Sequence, residues 1–304
     1  MRELDFINWI CSQSVFDPTL VPVGPGDDCA VVQCGKERML VTVDQVLDAV
    51  HFQLAEHGPE AAGRKAMARN LSDVAAMAAL PVCAVASVAM PKGMPRKDAE
   101  AVYRGLRSVG DPFGCLLVGG DMGSWPGPLA ISVTIIARPA GLEPVLRSGA
   151  KPGDVLCVTG ALGGAWKTKR HLKFIPRIHE ARLIASRYNP HAMIDISDGL
   201  GLDLSRICAA SGVGADVFAD QIPINADVQG ADQAAKLASA ISDGEDYELL
   251  MALGAKQAEE LLADKSLPLP VRRIGAIVEG NELTLIQPDG KRERLAPKGW
   301  EHET

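Results

Sequence analysis

The strongest constraint in this chain is a recurring junction in which an apolar run meets a short acidic turn. Gly26-Asp27-Asp28 precedes the run 29–33, and Thr42 and Asp44 end the run 38–43. Gly119-Gly120-Asp121 follows CLLV (115–118), and Asp195, Ser197 and Asp198 end MIDIS (193–197). Asp73 lies in an alanine-rich segment, three residues after Asn70. An Asp at the end of a strand holds its oxygens close to a fixed backbone, and hard divalent cations such as Mg²⁺ take oxygen ligands. Seven carboxylates brought together would repel one another and need cations to sit stably. Taken singly, each has an ordinary explanation: Asp beside Gly makes turns, and Asp before a helix caps it, Asp198 before GLGLDLSRI being the clearest candidate cap. For Asp73 the ordinary explanation is weaker, because a charge inside an Ala-rich helix has few solvated neighbours to justify it.

The runs between these junctions set the fold class. Residues 29–33, 38–43, 82–90, 115–118 and 129–137 read as strands, with Leu40, Thr42 and Asp44 on one face by the period of two. Residues 63–79 read as a helix, with Met67, Leu71, Val74, Ala75 and Ala78 on one stripe and alanines elsewhere, so it is expected to pack on more than one side. Residues 96–109 also read as helix. The Pro- and Gly-rich stretch 138–150 predicts a boundary, giving domains 1–140 and 141–304. Beyond it VLCVTG leads to a Gly-rich turn, Gly160–Gly164, able to approach a phosphate. A helix near 176–187 follows, then MIDIS and a second helix with Leu200, Leu204, Ile207 and Cys208 on one face and Gly212 ending it. Further strand and helix signals cover 213–219, 246–251, 255–263, 271–277 and 282–286. The expected architecture is α/β (α+β) in two domains.

Charge and cysteine content exclude several classes. With 38 Asp plus Glu against 31 Lys plus Arg, the net charge of −7 argues against a general nucleic-acid or anionic-membrane binder. No apolar run approaches the 18 residues of a membrane helix and no signal-peptide pattern opens the chain, which predicts a cytoplasmic location. The seven cysteines are scattered, form no C-x-x-C pair and predict reduced thiols without a zinc site. There is no G-x-x-x-x-G-K-[ST] loop, no protein-kinase motif and no G-x-S-x-G elbow.

The order GDDCAVV (26–32), VTVDQVLDAVHF (41–52), NLSDVAAMAALP (70–81), GGDM (119–122), RSGAKPGDVLCVTG (147–160), IDISDGLGLDL (194–204) and DGEDYELL (243–250) resembles the thiamine-monophosphate kinase family. That family belongs with aminoimidazole ribonucleotide synthetase, selenophosphate synthetase and a hydrogenase-maturation dehydratase. The resemblance implies N-terminal strands pairing across a homodimer, a C-terminal α/β domain, and ATP-dependent phosphorylation of thiamine monophosphate to thiamine diphosphate. It implies Mg²⁺ ligands at Asp27, Thr42, Asp44, Asp73, Asp121, Asp195 and Asp198, and nucleotide contacts at Gly120, Asp121, Arg147 and Ser197. His51, Glu245 and Trp300 would face the substrate, with an aromatic ring able to stack on the thiamine heterocycle. No side-chain nucleophile is expected, because phosphoryl transfer asks chiefly for alignment and charge cancellation. Departures from the family pattern include Val43 within Thr42-Val43-Asp44, Asp48-Ala49 for the usual Glu-Gly, and Gly163-Gly164-Ala165-Trp166 for the common Gly-Asp-Ser-Ala. The alternatives are a related ATP-dependent enzyme acting on another small substrate, and a non-catalytic nucleotide-binding regulator.

Overall fold

The computed structural model describes residues 3–230 and 232–300. After a first helix, α1 (Glu3–Gln13), five strands form one sheet: β1 (Ala30–Cys34), β2 (Glu37–Leu47), β3 (Leu80–Pro91), β4 (Leu116–Trp125) and β5 (Ala130–Arg138), in the order β1-β2-β5-β3-β4. Only β3 and β4 run parallel; every other neighbouring pair is antiparallel. Strand alternation sorts the two faces. Ile131, Val133 and Ile135 of β5 are buried against α2 (Leu54–Ala76), whereas Ile136 is exposed on the opposite face.

Helix α2 is the centrepiece. It packs on α3 (Arg96–Gly110) at a contact that only glycine permits, since a Cβ at Gly63 would fall 2.1 Å from the Val102 carbonyl oxygen and one at Gly105 2.0 Å from that of Glu60. Residues of α2 are buried around the whole cylinder (Ala62, Met67, Leu71, Val74, Ala76), as the spread of alanines predicts, because small side chains let a helix be covered on several sides at once. Truncating a site such as Leu71 to alanine would remove roughly 2–5 kcal/mol of stability.

The second sheet has seven strands: β6 (Val155–Thr159), β7 (Ala192–Asp195), β8 (Gly214–Phe218), β9 (Leu249–Leu253), β10 (Val271–Val278), β11 (Leu283–Ile286) and β12 (Arg292–Arg294), ordered β12-β11-β8-β10-β6-β9-β7. Its central strands VLCVT and LLMAL are buried on both faces, which is why they read as unbroken apolar runs. Leu156, Val158, Ile194 and Leu250 share a core with α5 (Leu200–Ser211) and α6 (Gln233–Ser242). Cys157, Met193 and Met251 point the other way, into a core shared with α4 (Ile178–Tyr188), α7 (Ala255–Ala263) and α2. Through α2 that core is continuous with the first sheet's. Ser72 and Asp73, near the end of α2, thereby come to lie beside the end of β7.

Several boundaries differ from expectation. The helix expected over 63–79 is preceded by a further helical turn from Leu54, joined to it across a kink at which Gly58 leaves the helical region (φ 78°, ψ 164°) just before Pro59. It stops at Ala76, where Ala78 turns to φ 52°. Gly119-Gly120-Asp121, expected as a turn, lies inside β4, where Gly120 lets the backbone approach that of Ala86: a Cβ there would sit 2.0 Å from the Ala86 oxygen. Helices α1 and α6 and strand β12 are not among the elements expected from the sequence. Gly212 ends α5 at φ 66°, as expected. Among the described residues no helix is long and apolar enough to cross a membrane.

Candidate active site

The strand ends and α2 converge on a cavity of about 590 Å³ walled by Asp27, Asp28, Asp44, Asp73, Asp195 and Asp198, with Thr42 among them. Oxygens of Asp28, Asp73 and Asp195 lie within 4.8 Å of one another. Each is held from behind. The Thr42 hydroxyl donates to Asp73 (2.6 Å) and the Ser72 hydroxyl to Asp195 (2.5 Å). Asp27 accepts the backbone N–H groups of Asp28 (3.0 Å) and Arg147 (3.1 Å).

Three guanidiniums face the six carboxylates. Arg147 grips Asp28 with two nitrogens, at 2.7 and 3.2 Å. Arg69 pairs with Asp44 at 2.9 Å, and Arg206 joins Asp198 (2.7 Å) to Asp203 (2.5 Å). The balance remains negative. Burial, reinforced by the charges of Asp44, Asp195 and Asp28, pushes the Asp73 carboxyl well above the usual range. Burial likewise raises Asp44 against the pull of Arg69, and raises Asp195 with help from Asp28. Asp27 is pushed up to about 6, by burial first and Asp28 second. Carboxylates held this way are an incomplete cation site: oxygen-only donors, preorganised, with unbalanced charge.

The cavity opens into a second chamber of about 260 Å³ through shared walls at His51, Arg69, Ser197, Asp198, Tyr247 and Trp300. Val50, Glu245, Asp243 and Trp166 complete this chamber. The Trp300 ring meets His51 edge-on at 5.5 Å, and its backbone N–H donates to the Asp198 carbonyl (2.9 Å). Glu245 sits at φ 61° and is fixed there by Lys65 (2.6 Å) and the Tyr247 hydroxyl (3.0 Å). Lys65 is wholly buried, also donates to the His51 carbonyl (2.6 Å), and is brought down to about 8 by burial despite its Glu245 partner.

The structure thus gathers Asp27, Thr42, Asp44, Asp73, Arg147, Asp195, Ser197, Asp198, His51, Glu245 and Trp300 around the two connected chambers. Gly120 and Asp121 stand apart, on β4, in a separate groove between that strand and α3. Three strand spacings separate β4 from the strand carrying Asp44, about 14 Å. Asp198 does not cap α5: the cap position is Gly199, and it is Asp203 that accepts the N–H groups of Asp198 (3.0 Å) and Gly199 (3.1 Å). The Gly160–Gly164 turn is no phosphate cradle, because Asp246 takes the Gly163 N–H (2.8 Å) and Asp243 that of Gly164 (3.1 Å). Asp48 is structural, accepting from Ala49 (2.9 Å) and Leu54 (2.8 Å). Sequence reasoning counted Asp28 among the clustered carboxylates without giving it a role, and missed Lys65, Arg69, Tyr247 and Arg206 as parts of the site. Asp28 carried a signal in its adjacency to Asp27; the cations carried none, because their meaning lies in which carboxylate they meet.

The AIR synthase related protein N-terminal domain matches residues 26–138, and the corresponding C-terminal domain matches residues 151–287. Thiamine-monophosphate kinase of Rhodopirellula baltica is 38% identical over 93% of this chain and 92% of its own length. That of Bacillus subtilis is 31% identical over 99% of both chains. The solved structure of AaThiL complexed with AMPPCP and TMP shares 28% identity, covers 99% of this chain and 96% of that one, and superposes with a TM-score of 0.81. With these full-length relatives and both domains in place around the paired chambers, the chain belongs to the thiamine-monophosphate kinase family, on the two-domain AIR synthase related fold.

Proposed function

We propose that this chain transfers the γ-phosphoryl group of ATP to the phosphate of thiamine monophosphate, releasing ADP and thiamine diphosphate. The observation that carries this reading is the junction of the two chambers: a carboxylate-walled cavity suited to metal and polyphosphate opens directly into an aromatic-walled one suited to a heterocycle. A relative with the same fold is described in complex with an ATP analogue and TMP.

The residues fit Mg²⁺, since the clustered donors are all hard oxygens whose raised carboxyls lack neutralising charge. Asp27, Asp28, Thr42, Asp44, Asp73, Asp195 and Asp198 would hold it. Bound there, Mg²⁺ supplies the positive charge that lets two phosphate groups approach each other. The protein supplies placement. Arg147 and Ser197 contact the nucleotide at the cavity wall, and His51, Glu245 and Trp300 hold the acceptor. The acceptor's phosphate is already ionised near neutral pH, so no side chain has to remove a proton from it.

Gly120 and Asp121 enter this scheme through a homodimer. Val43, Val85, Val118 and Ile136 leave an apolar, uncovered face on the first sheet, and Val43 and Gln45 of that sheet also line the acidic cavity. A second copy seated there brings strands of its own sheet to the cavity mouth, where Asp121 serves as a further metal ligand and Gly120 as a nucleotide contact. We divide the chain near residue 140, and place the reaction in the cytoplasm, in keeping with seven free thiols and the use of ATP. Incubation of the purified chain with ATP, Mg²⁺ and thiamine monophosphate should yield thiamine diphosphate and ADP by chromatography. Absence of product across a wide Mg²⁺ range would overturn the proposal.

A further inference from the structure

We infer that Trp166 determines acceptor specificity, forming an aromatic wall of the acceptor chamber that takes a planar heteroaromatic cation. This rests on the reading of that chamber as the thiamine monophosphate site, and extends it to a residue to which no role has been given.

Trp166 lines the smaller chamber together with Trp300, Tyr247 and His51. One face of its indole is stacked on His171 at 4.5 Å and 21°, yet 37% of the residue stays exposed, so the ring is backed by protein without being enclosed. The backing is rigid. His171 is fully buried and bonded to Lys65 (2.8 Å), which is itself held by Glu245. The loop around Trp166 is pinned by the Thr168 N–H to Gly164 (3.1 Å), the Lys169 N–H to Trp166 (3.0 Å) and Arg170 to Gly163 (3.1 Å). A ring fixed before binding loses little entropy when a ligand stacks on it.

The charges in the chamber select the kind of ring. Asp198, Asp243 and Glu245 are acidic, against Arg69 in the lining and Lys65 behind Glu245, which leaves one net negative charge. The Lys65 ammonium lies 5.3 Å from the Trp166 ring, but its charge is balanced by Glu245 at 2.6 Å. His171 stays neutral, since burial brings it down to about 3. A flat cation such as a thiazolium meets both requirements, π surface and negative surroundings, whereas a plain phosphate meets neither.

The test is calorimetric and kinetic, with the full chain and Trp166→Ala, Trp166→Leu and Trp166→Phe. The probes are thiamine monophosphate, a methylene-bridged ATP analogue, and an alkyl monophosphate that carries no ring. Trp166→Ala and Trp166→Leu should weaken thiamine monophosphate binding and raise its KM roughly tenfold. Binding of the ATP analogue and of the alkyl phosphate should stay within twofold, and Trp166→Phe should restore most of the loss. If Trp166→Ala does not fold, Trp166→Leu decides, since it keeps apolar bulk and removes the π face. Unchanged thiamine monophosphate affinity in Trp166→Leu, or equal loss for all three probes, overturns the inference while wild-type turnover leaves the kinase reading intact. Binding that depends on Trp166 without turnover overturns the kinase reading and leaves this inference standing. No binding of thiamine monophosphate by the wild-type chain overturns both.

Discussion

Replacing Asp73 by asparagine should stabilise the metal-free protein and abolish its function, two effects of opposite sign from one substitution. The carboxyl oxygens of Asp28, Asp73 and Asp195 lie within 4.8 Å, where two ionised groups repel by about 3.5 kcal/mol at an effective dielectric of ~20. Asp73 faces two such neighbours, so about 7 kcal/mol is a floor on the repulsion if all three ionise, part of which protonation of the raised carboxyls relieves. Asparagine is nearly isosteric and keeps a carbonyl oxygen for the Thr42 hydroxyl, which now donates to Asp73 at 2.6 Å. Relief of even 2 kcal/mol would raise the thermal midpoint by roughly 3 °C in metal-free buffer at pH 8. Saturating Mg²⁺ and ATP analogue, at a hundred times the dissociation constant, should stabilise the wild-type chain by about 2.7 kcal/mol and the variant scarcely at all. Turnover should fall at least about a hundredfold. The assay is a thermal-shift series with and without Mg²⁺ and analogue, alongside product formation. A variant that melts several degrees lower without metal, yet keeps its ligand shift and its turnover, would refute the reasoning and make Asp73 a structural residue.

Three further outcomes follow from particular contacts. Burial, aided by the Lys65 charge, brings His171 down to about 3; the stability from keeping it neutral is complete above the unfolded value of 6.5 and is lost as pH falls toward 3. At 1.36 kcal/mol per unit this is worth up to about 5 kcal/mol, so denaturant titrations at pH 7 and pH 4 should show a steep acid loss that His171→Leu flattens. Gly163→Ala should destabilise by about 2 kcal/mol, because φ is 89° and the new Cβ would lie 2.8 Å from the Ala240 backbone; an unchanged denaturation midpoint would show that α6 can yield. Val43→Glu with Val118→Glu on the uncovered sheet face should give monomers by light scattering and lower activity, and an unchanged mass would place any dimer contact elsewhere.

Much of the fold was legible because each signal was local. Period-two alternation marks β2, the apolar run VLCV marks β6, and glycine at the end of α5 marks its stop. The signals that failed were those whose meaning depends on a distant neighbour. Gly119-Gly120-Asp121 has the composition of a turn, but pairing with β3 draws it into a strand. Asp198 has the position of a cap, but Asp203, one turn further along, takes the free N–H groups instead. The Gly160–Gly164 turn looks free to receive a phosphate until Asp243 and Asp246, about 80 residues away, occupy its donors.

The same division applies to the site. Sequence alone determined which residue types were available and their order: carboxylates at strand ends, one Asp on an alanine-rich helix, no nucleophile with a base. Only the tertiary structure decided which of them meet. Burying α2 between two sheets brings Ser72 and Asp73 to Asp195, more than 120 residues along the chain, while strand order alone leaves Asp121 about 14 Å from Asp44 within one protomer. Lys65 and Arg69 showed no role beforehand, and Trp166 stood out only as a departure from the family pattern, for the same physical reason. A charge or a ring acquires a role through what it faces, and facing is a property of packing.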